Sequence, residues 1–341
     1  MVDYSTMFNK ILYQEPYHQA DISKSSFLVT GGAGFIGSNI VEYLLRNKAG
    51  HVKVLDDLSN GYFDNIKGFQ SLANFEFIEG DIRDLETCKL AMRGVHYISH
   101  QAALGSVPRS IVDPINSNSV NIDGFLNVLV AALECGTLKR FVYAASSSTY
   151  GDSSELPKVE GSEGKPLSPY AVTKAVNEMY ADVFSKVYGM HTIGLRYFNI
   201  FGPKQNPNNP YAAVIPLFCK HFINGTQPTI NGDGLASRDF TFVENAVQAN
   251  IKALLYEDLT SHQVFNVACG DQITLNDMIN TLQKISKKEI KALYGPMRQG
   301  DIPHSKASIE KIQSILNYNP KYRFEKGLEV VYNWYLNSDL D

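Results

Sequence analysis

Four strand-forming residues, Phe27-Leu28-Val29-Thr30, run directly into Gly31-Gly32-Ala33-Gly34-Phe35-Ile36-Gly37, and apolar residues then recur at helical spacing as Ile36, Ile40 and Leu44. Little else in the chain restricts the fold as much. Glycine is needed where a tight turn demands positive φ and where the backbone must come close to a pyrophosphate. The helix starting near Gly34 points its unpaired N–H groups and positive dipole end at the same spot. A glycine run alone is weak evidence, but its place between a strand and a helix at the start of a fold is what a dinucleotide cradle requires.

The rest of the chain agrees with that beginning. From Ser26 onward, strand-like runs (Phe27–Thr30, Val52–Asp56, Phe75–Gly80, His96–His100, Phe141–Ala145, Thr192–Arg196) alternate with helical-period segments (Phe35–Arg46, Leu85–Met92, Val120–Cys135, Tyr170–Val187). This predicts an α/β fold, a Rossmann-type doubly wound parallel sheet. Beyond Asn199, four prolines (Pro203, Pro207, Pro210, Pro216) and three asparagines between 206 and 209 interrupt the ladder. Asp239–Val243 followed by Asn245–Tyr256 reads as a strand and helix returning to the large sheet. The expected division is therefore a dinucleotide-binding domain of residues 26–199 plus about 235–268. A smaller, interleaved C-terminal substrate lobe takes about 200–234 and 269–341. Residues 1–25, with Met7, Ile11 and Leu12 in an amphipathic pattern, read as an added N-terminal helix or a frayed tail.

Composition removes several function classes. With 341 residues the core is large enough to need neither disulfides nor structural metal. The balance of 31 Lys+Arg against 35 Asp+Glu, net −4, offers no basic excess for nucleic acid. Cys88, Cys135, Cys219 and Cys269 form no CxxC pair, which favours a reducing compartment. The eight histidines show no metal-ligand spacing, and Cys219 and His221 diverge, so no metal is expected. The most apolar stretch, Phe125–Leu133, is too short to span a bilayer, and Asp3, Lys10, Glu15 and Asp21 exclude a signal peptide's apolar segment. A soluble cytoplasmic protein is expected.

The second predicted strand ends in Asp56-Asp57, 25 residues after Gly31, where an acid meets the adenosine ribose. Asp56 there accepts from both ribose hydroxyls and repels a 2′-phosphate, which favours NAD over NADP. Asp81-Ile82 after the third strand suit the adenine, although Asp81 fits equally well as a cap for the helix at Leu85. Gln101-Ala102-Ala103 after the fourth strand are small enough to let backbone lie against the dinucleotide.

Tyr170 and Lys174 stand four apart at the start of a helix, on one face. Bringing a tyrosine from about 10 to near 7 takes roughly 4 kcal/mol of preference for phenolate. One cation at ~4 Å supplies about 1 kcal/mol in water and ~4 at an effective dielectric of ~20. Lys174 suffices only in a partly dry cleft, aided by a positive nicotinamide ring. Tyr-x-x-x-Lys arises often by chance; Ser146-Ser147-Ser148, at the C-terminal end of the fifth predicted strand, gives the pair its meaning.

At these residues the chain resembles the extended short-chain dehydrogenase/reductases, specifically the nucleotide-sugar 4-epimerases. The resemblance runs from Phe27 through nearly the whole chain. It rests on Gly31-x-x-Gly34-x-x-Gly37, Ala145-Ser146-Ser147-Ser148-Thr149-Tyr150-Gly151, Ser168-Pro169-Tyr170-x-x-x-Lys174, Leu195-Arg196-Tyr197-Phe198-Asn199-x-Phe201-Gly202-Pro203 and Arg238-Asp239-Phe240. It is most similar to the bacterial branch acting on UDP-N-acetylhexosamines for O-antigen or capsule synthesis.

The resemblance implies C4 epimerisation through a transient 4-keto sugar and enzyme-bound NADH, with NAD tightly bound and regenerated each turnover. Tyr170 takes the 4-hydroxyl proton, Lys174 poises it and Ser146 holds the same oxygen. Carried across with it are Asn60, Gly61, Asn121 and Tyr197 at the cofactor, beside Gly31, Gly34, Phe35, Ile36, Gly37, Asp56, Asp81, Ile82, Gln101, Ala102, Ala103, Tyr170 and Lys174. Substrate contacts are Ser106, Ser146, Ser147, Ser148, Tyr170, Asn199, Ala213, Val214, Thr229, Asn231, Arg238, Arg298, Asp301 and Ser305. Asn199, Arg238 and Arg298 take the diphosphate, Asp301 the ribose, and Thr229-Ile230-Asn231 the uracil. Val120–Cys135 and Tyr170–Val187 would form a four-helix homodimer face. Dehydratases of this scaffold carry Thr-Asp-Glu where this chain has three serines, and decarboxylases of UDP-glucuronate likewise need a Glu there. Serine at 305, where hexose-restricted members have a bulky aromatic, leaves room for an N-acetyl group, unless it is merely a small loop residue. UDP-GlcNAc and UDP-GalNAc are therefore the expected pair, with their uronic acids left open. UDP-glucose epimerisation or another NAD-dependent nucleotide-sugar reaction, dehydration or decarboxylation, is the runner-up, and a non-catalytic NAD-sensing binder the remote alternative.

Overall fold

The computed structural model describes residues 12–208, 213–296 and 304–338. Seven parallel strands form the central sheet: β1 Ser26–Thr30, β2 His51–Asp56, β3 Phe75–Glu79, β4 Tyr97–His100, β5 Arg140–Ser146, β6 Thr192–Tyr197 and, after four short strands elsewhere, β11 Gln263–Val267. Their spatial order is β11-β6-β5-β4-β1-β2-β3. The order reverses between β1 and β4, which leaves a crevice at their carboxyl ends. Register is in phase across that seam, Val29 opposite Ser99 and Thr30 opposite His100. Buried on both faces, the strands read as nearly continuous apolar runs.

Helices α1 Phe35–Arg46, α2 Leu85–Met92, α3 Val107–Val112, α4 Pro114–Asn118, α5 Phe125–Glu134 and α6 Pro169–Tyr188 flank the sheet. Predicted bounds of α1 and α2 agree with the structure. The helix predicted over Val120–Cys135 instead begins with a π-type turn at Ser119–Gly124, and α5 follows. Ser168 caps α6 by accepting from Ala171 N–H, Pro169 occupies its first turn, and Gly189 at φ 69° ends it in a left-handed cap.

The smaller set of elements comprises β7 Ile200–Phe201, α7 Val214–Asn224, β8 Thr229–Asn231, β9 Ser237–Arg238 and β10 Thr241–Phe242. After α8 Val243–Leu255 and β11 come β12 Ile273–Thr274, α9 Leu275–Ser286, β13 Leu293–Gly295, α10 Glu310–Leu316 and α11 Phe324–Leu336. One sequence expectation fails here. The strand near Asp239–Val243 does not return to the large sheet: β10 pairs with β7, and β11 becomes the seventh strand. Helix α8 lies between them, and nearly every residue in it is buried, because it packs against both α1 and the sheet. Residues 12–25 contain no helix; Leu12 and Tyr13 are nonetheless fully buried, Tyr13 donating to Asn39 Oδ1 at 2.7 Å. Met7 and Ile11 lie outside the described residues. Among the described residues no helix is long and apolar enough to cross a membrane.

Candidate active site

A cleft of ≈ 590 Å³ opens at the reversal point of the sheet. Gly31, Gly34, Phe35, Ile36 and Gly37 form one wall; Asp56, Asn60 and Gly61 form a second; Ile82, Gln101, Ala102 and Ala103 form the floor. The first turn explains its glycines. Gly31 has φ +66°, and a Cβ there would lie 2.6 Å from Ala102 N; a Cβ on Gly37 would lie 2.1 Å from Gly31 O. Thus Gly31 fits beneath β4, and Gly37 lets α1 close down on the turn. Gly34 starts α1 without a side-chain cap, so the N–H groups of that end face the cleft wall. This cradle fits a pyrophosphate.

Asp56 ends β2 inside the cleft, buried, its carboxylate accepting from Ala33 N–H and Leu58 N–H, both at 2.9 Å. Burial pushes its carboxyl up from the ordinary range. It therefore makes the local turn and presents itself to the cleft at once. Asp81 does not cap α2 and is not among the residues lining the cleft. Its carboxylate is clamped by Arg83, Nε at 2.8 Å, and Asp84 is the residue that caps α2 by accepting from Glu86 N–H. Asn121 is also displaced from the cleft lining: buried, it accepts from Leu104 N–H at 2.8 Å and donates to Thr173 Oγ1 at 3.1 Å, bracing the floor from behind.

Sequence reasoning missed Arg109 and Gln205 in the lining and Asn250 beneath it. Arg109 on α3 reaches across the mouth to Asn60 Oδ1 at 2.8 Å. Asn250, on α8, donates to the Tyr197 hydroxyl at 2.7 Å, and Tyr197 in turn donates to Gln101 Oε1 at 3.0 Å. No local pattern marks either residue, because both act across the fold.

Tyr170, Lys174, Ser146 and Ser147 converge in the same cleft, beside Ser106. Tyr170 and Lys174 occupy the first turns of α6, and Ser146 ends β5. Ser146 Oγ accepts from Ser148 N–H at 3.1 Å and from the Ser148 hydroxyl at 2.9 Å, and its side chain is hydrogen-bonded to the Tyr170 phenol. Ser148 supports Ser146 and does not line the cleft. Lys174 Nζ donates to Ala144 O at 2.8 Å and stands 5.9 Å from the Tyr170 ring centre.

In the protein alone the Tyr170 phenol is raised, because burial outweighs the Ser146 hydrogen bond, and burial also lowers the Lys174 ammonium to about 8. The lysine is held on a backbone carbonyl instead of being paired with the phenol. Poising Tyr170 for proton transfer therefore takes positive charge beyond what these two side chains carry.

A second cleft of ≈ 350 Å³ adjoins the first, sharing Asn199 and Ile200 with it. Ala213, Val214, Thr229, Asn231 and Arg238 line it. Asn199, at φ +40°, donates from Nδ2 to Asp239 O at 3.2 Å. Ser305 lines neither cleft; its N–H donates to Ser237 O at 3.0 Å, which places it beside Arg238. Arg298 and Asp301 lie outside the described residues.

Residues 27–268 match the NAD dependent epimerase/dehydratase family. The chain belongs to that family. Similar solved structures include a UDP-N-acetylglucosamine 4-epimerase from Methanobrevibacter ruminantium in complex with UDP-N-acetylmuramic acid. It has a TM-score of 0.86 and 36% identity, with 92% of this chain and 98% of that one covered. Another is a dTDP-glucose 4,6-dehydratase of Streptomyces venezuelae with NAD bound, TM-score 0.83 and 29% identity, covering 91% and 96%. A putative UDP-glucose 4-epimerase of Methanocaldococcus jannaschii is 32% identical over 314 residues, 92% of this chain and 99% of that protein. The cofactor of this NAD-dependent epimerase/dehydratase family fits the glycine cradle and the Asp56 wall already described.

Proposed function

We propose that this nucleotide-sugar epimerase inverts C4 of a UDP-N-acetylhexosamine, interconverting UDP-GlcNAc and UDP-GalNAc. The observation that carries the reading is the convergence of Ser146, Tyr170 and Lys174 where the cofactor cleft meets the second cleft at Asn199. Bound NAD supplies a reversible hydride acceptor and a positive charge near the phenol. Everything else falls to the protein's own groups.

Tyr170 is placed to take the 4-hydroxyl proton and to return it from its own oxygen when the sugar has turned over. Ser146 accepts twice from Ser148, so its one hydroxyl hydrogen goes to the Tyr170 phenol in the protein alone and turns to the sugar 4-oxygen when substrate sits between them. Lys174 holds positive charge in a water-poor site, where it stabilises the phenolate far more than it would in water. Asn199 and Arg238 suit the diphosphate, and Thr229 and Asn231 suit the uracil end, so the sugar pivots while its handle stays fixed. Residues 146–148 offer three hydroxyls and no carboxylate, which supports epimerisation over loss of the 6-hydroxyl, a step that needs an acid and a base. The acetamido group follows from the resemblance at Ser305, which stands beside Arg238 without lining either cleft. Val172, Met179, Val183 and Val187 expose one apolar stripe along α6, which supports a homodimer through that helix.

Purified holoenzyme given UDP-GlcNAc, UDP-GalNAc, UDP-glucose and the uronic acids, with product stereochemistry read by NMR, tests the proposal. Tyr170→Phe should retain NAD and turn over at no more than a few per cent of the rate. Ser305→Tyr should lose the acetylated sugars and keep UDP-glucose; equal loss on both ends the size argument.

A further inference from the structure

Behind the catalytic face lies a buried ionic cluster that the mechanism above does not use. Arg196 on β6 has a side chain only 4% exposed, and it grips Glu178 of α6 with both arms, Nε to Oε1 at 2.9 Å and Nη2 to Oε2 at 2.7 Å. Its remaining nitrogen meets Glu163, and its guanidinium lies 4.8 Å from the Tyr150 ring centre. Glu178 follows Lys174 by one helical turn and Tyr170 by two, so the three share a face of α6. Among the described residues, Arg196 is the one cation within ion-pair distance of Glu178.

Lys174 stands one helical turn before Glu178, and the Glu178 charge already acts on it. Glu178, its side chain 14% exposed, is costly to leave without a partner and takes whatever cation lies near. Lys174 and Glu178, four apart on one helix face, are within pairing reach, in the weaker of the two orders, Lys before Glu.

Resting on the reading of Tyr170 and Lys174 as the proton-transfer pair, we infer that Arg196 is a positioning residue. By occupying both oxygens of Glu178 it prevents an internal Lys174–Glu178 ion pair and keeps the ammonium on Ala144 O, facing the phenol. The other groups around this set do not replace it. His100 of β4, beside Lys174, is held neutral by burial, down to about 3. Tyr143 of β5 is a buried phenol without a hydrogen-bond partner among the described residues. Tyr150 donates to Asn266 Oδ1 at 2.7 Å, Asp182 pairs with Lys186, and Lys311 of α10 donates to Val264 O.

The test uses NAD-loaded enzyme and two readouts: the pH profile of kcat, and the ultraviolet phenolate titration differenced against Tyr170→Phe. Arg196→Gln should move the acid limb of kcat and the Tyr170 titration upward together by about one pH unit, with about tenfold lower turnover at neutral pH. Arg196→Gln combined with Glu178→Gln should bring both back to the wild-type positions, since the competing carboxylate is gone. Arg196→Lys, holding Glu178 by one arm, should fall between. An unmoved profile in Arg196→Gln, or a double variant no better than the single, overturns the inference. If Arg196→Gln alone does not fold, the double variant decides: a wild-type acid limb supports the inference and a shifted one overturns it. Retained turnover in Tyr170→Phe overturns the site reading itself, whichever way the Arg196 profile moves.

Discussion

The two clefts are built differently. The cofactor cleft is made from backbone: a glycine turn, the open end of α1, and the ends of β2 and β4, all set by strands in register. The second cleft is made from side chains on helix α7, short strands and loops, and its geometry depends on ties between segments far apart in sequence. Asp239 is the central tie. Fully buried, it accepts from Cys269 N–H and Gly270 N–H at 3.0 Å and from Ala307 N–H at 3.3 Å, which joins β9 to the end of β11 and to the segment carrying Ser305. A dinucleotide common to many chemistries is held by what all chains share, the main chain. The proposed sugar-nucleotide cleft relies instead on side chains.

The sharpest break of that contrast is Gly31→Ala. Alanine at φ +66° is strained by about 1–2 kcal/mol, and its Cβ would meet the Ala102 backbone at 2.6 Å, so neither side can yield cheaply. The variant should lose at least ~2 kcal/mol of stability in urea titration and be purified without NAD. A variant that keeps its full complement of NAD would show that the backbone does not set the cradle.

Asp239→Asn tests the other region. The amide offers Gly270 and Ala307 an N–H where they need an acceptor, so the KM for the nucleotide sugar should rise about tenfold, the size of one lost charged hydrogen bond of ~1.5 kcal/mol, with NAD content unchanged. Burial also pushes the Asp239 carboxyl up to about 6 from its ordinary 3.8. Folding thus favours the protonated form, and the stability this gives is full below the ordinary value and lost as pH rises through 6, about 3 kcal/mol at most. Denaturation of the variant between pH 4 and 8 should lack that decline. NAD lost along with sugar affinity would mean that the two clefts are not separable.

The same contrast governs what could be read from the sequence. Phe27–Thr30, the glycine turn, α1 and Asp56 were legible because each follows from local periodicity or from a fixed offset along the chain. Tyr170, Lys174 and Ser146 were legible because two motifs point to one strand end. Strand β11 escaped because a five-residue run does not reveal which sheet it joins, and the helix before it drew the preceding strand into that place. Asn250, Arg109 and the Asp239 tie act across dozens of residues, and nothing in their neighbours' identities signals it. The charge state of Tyr170 depends on burial, which a spacing cannot measure.

The smallest expected effect sharpens the cofactor side. Asp81 follows β3 where an adenine contact was expected, but the structure turns its carboxylate onto Arg83, and that pairing holds the carboxyl below its usual range. Both side chains are roughly a third or more exposed, so the pair contributes little. The neighbours that do line the cleft, Gly80 and Ile82, present backbone and an apolar side chain. Asp81→Asn should therefore change unfolding free energy by less than ~0.5 kcal/mol and leave NAD content and the KM for the sugar nucleotide within about twofold. Release of bound NAD, followed by fluorescence against the wild type, is the sensitive measurement. Release accelerated tenfold would place the Asp81 carboxylate back at the dinucleotide and show that this wall of the cleft is not made of backbone alone.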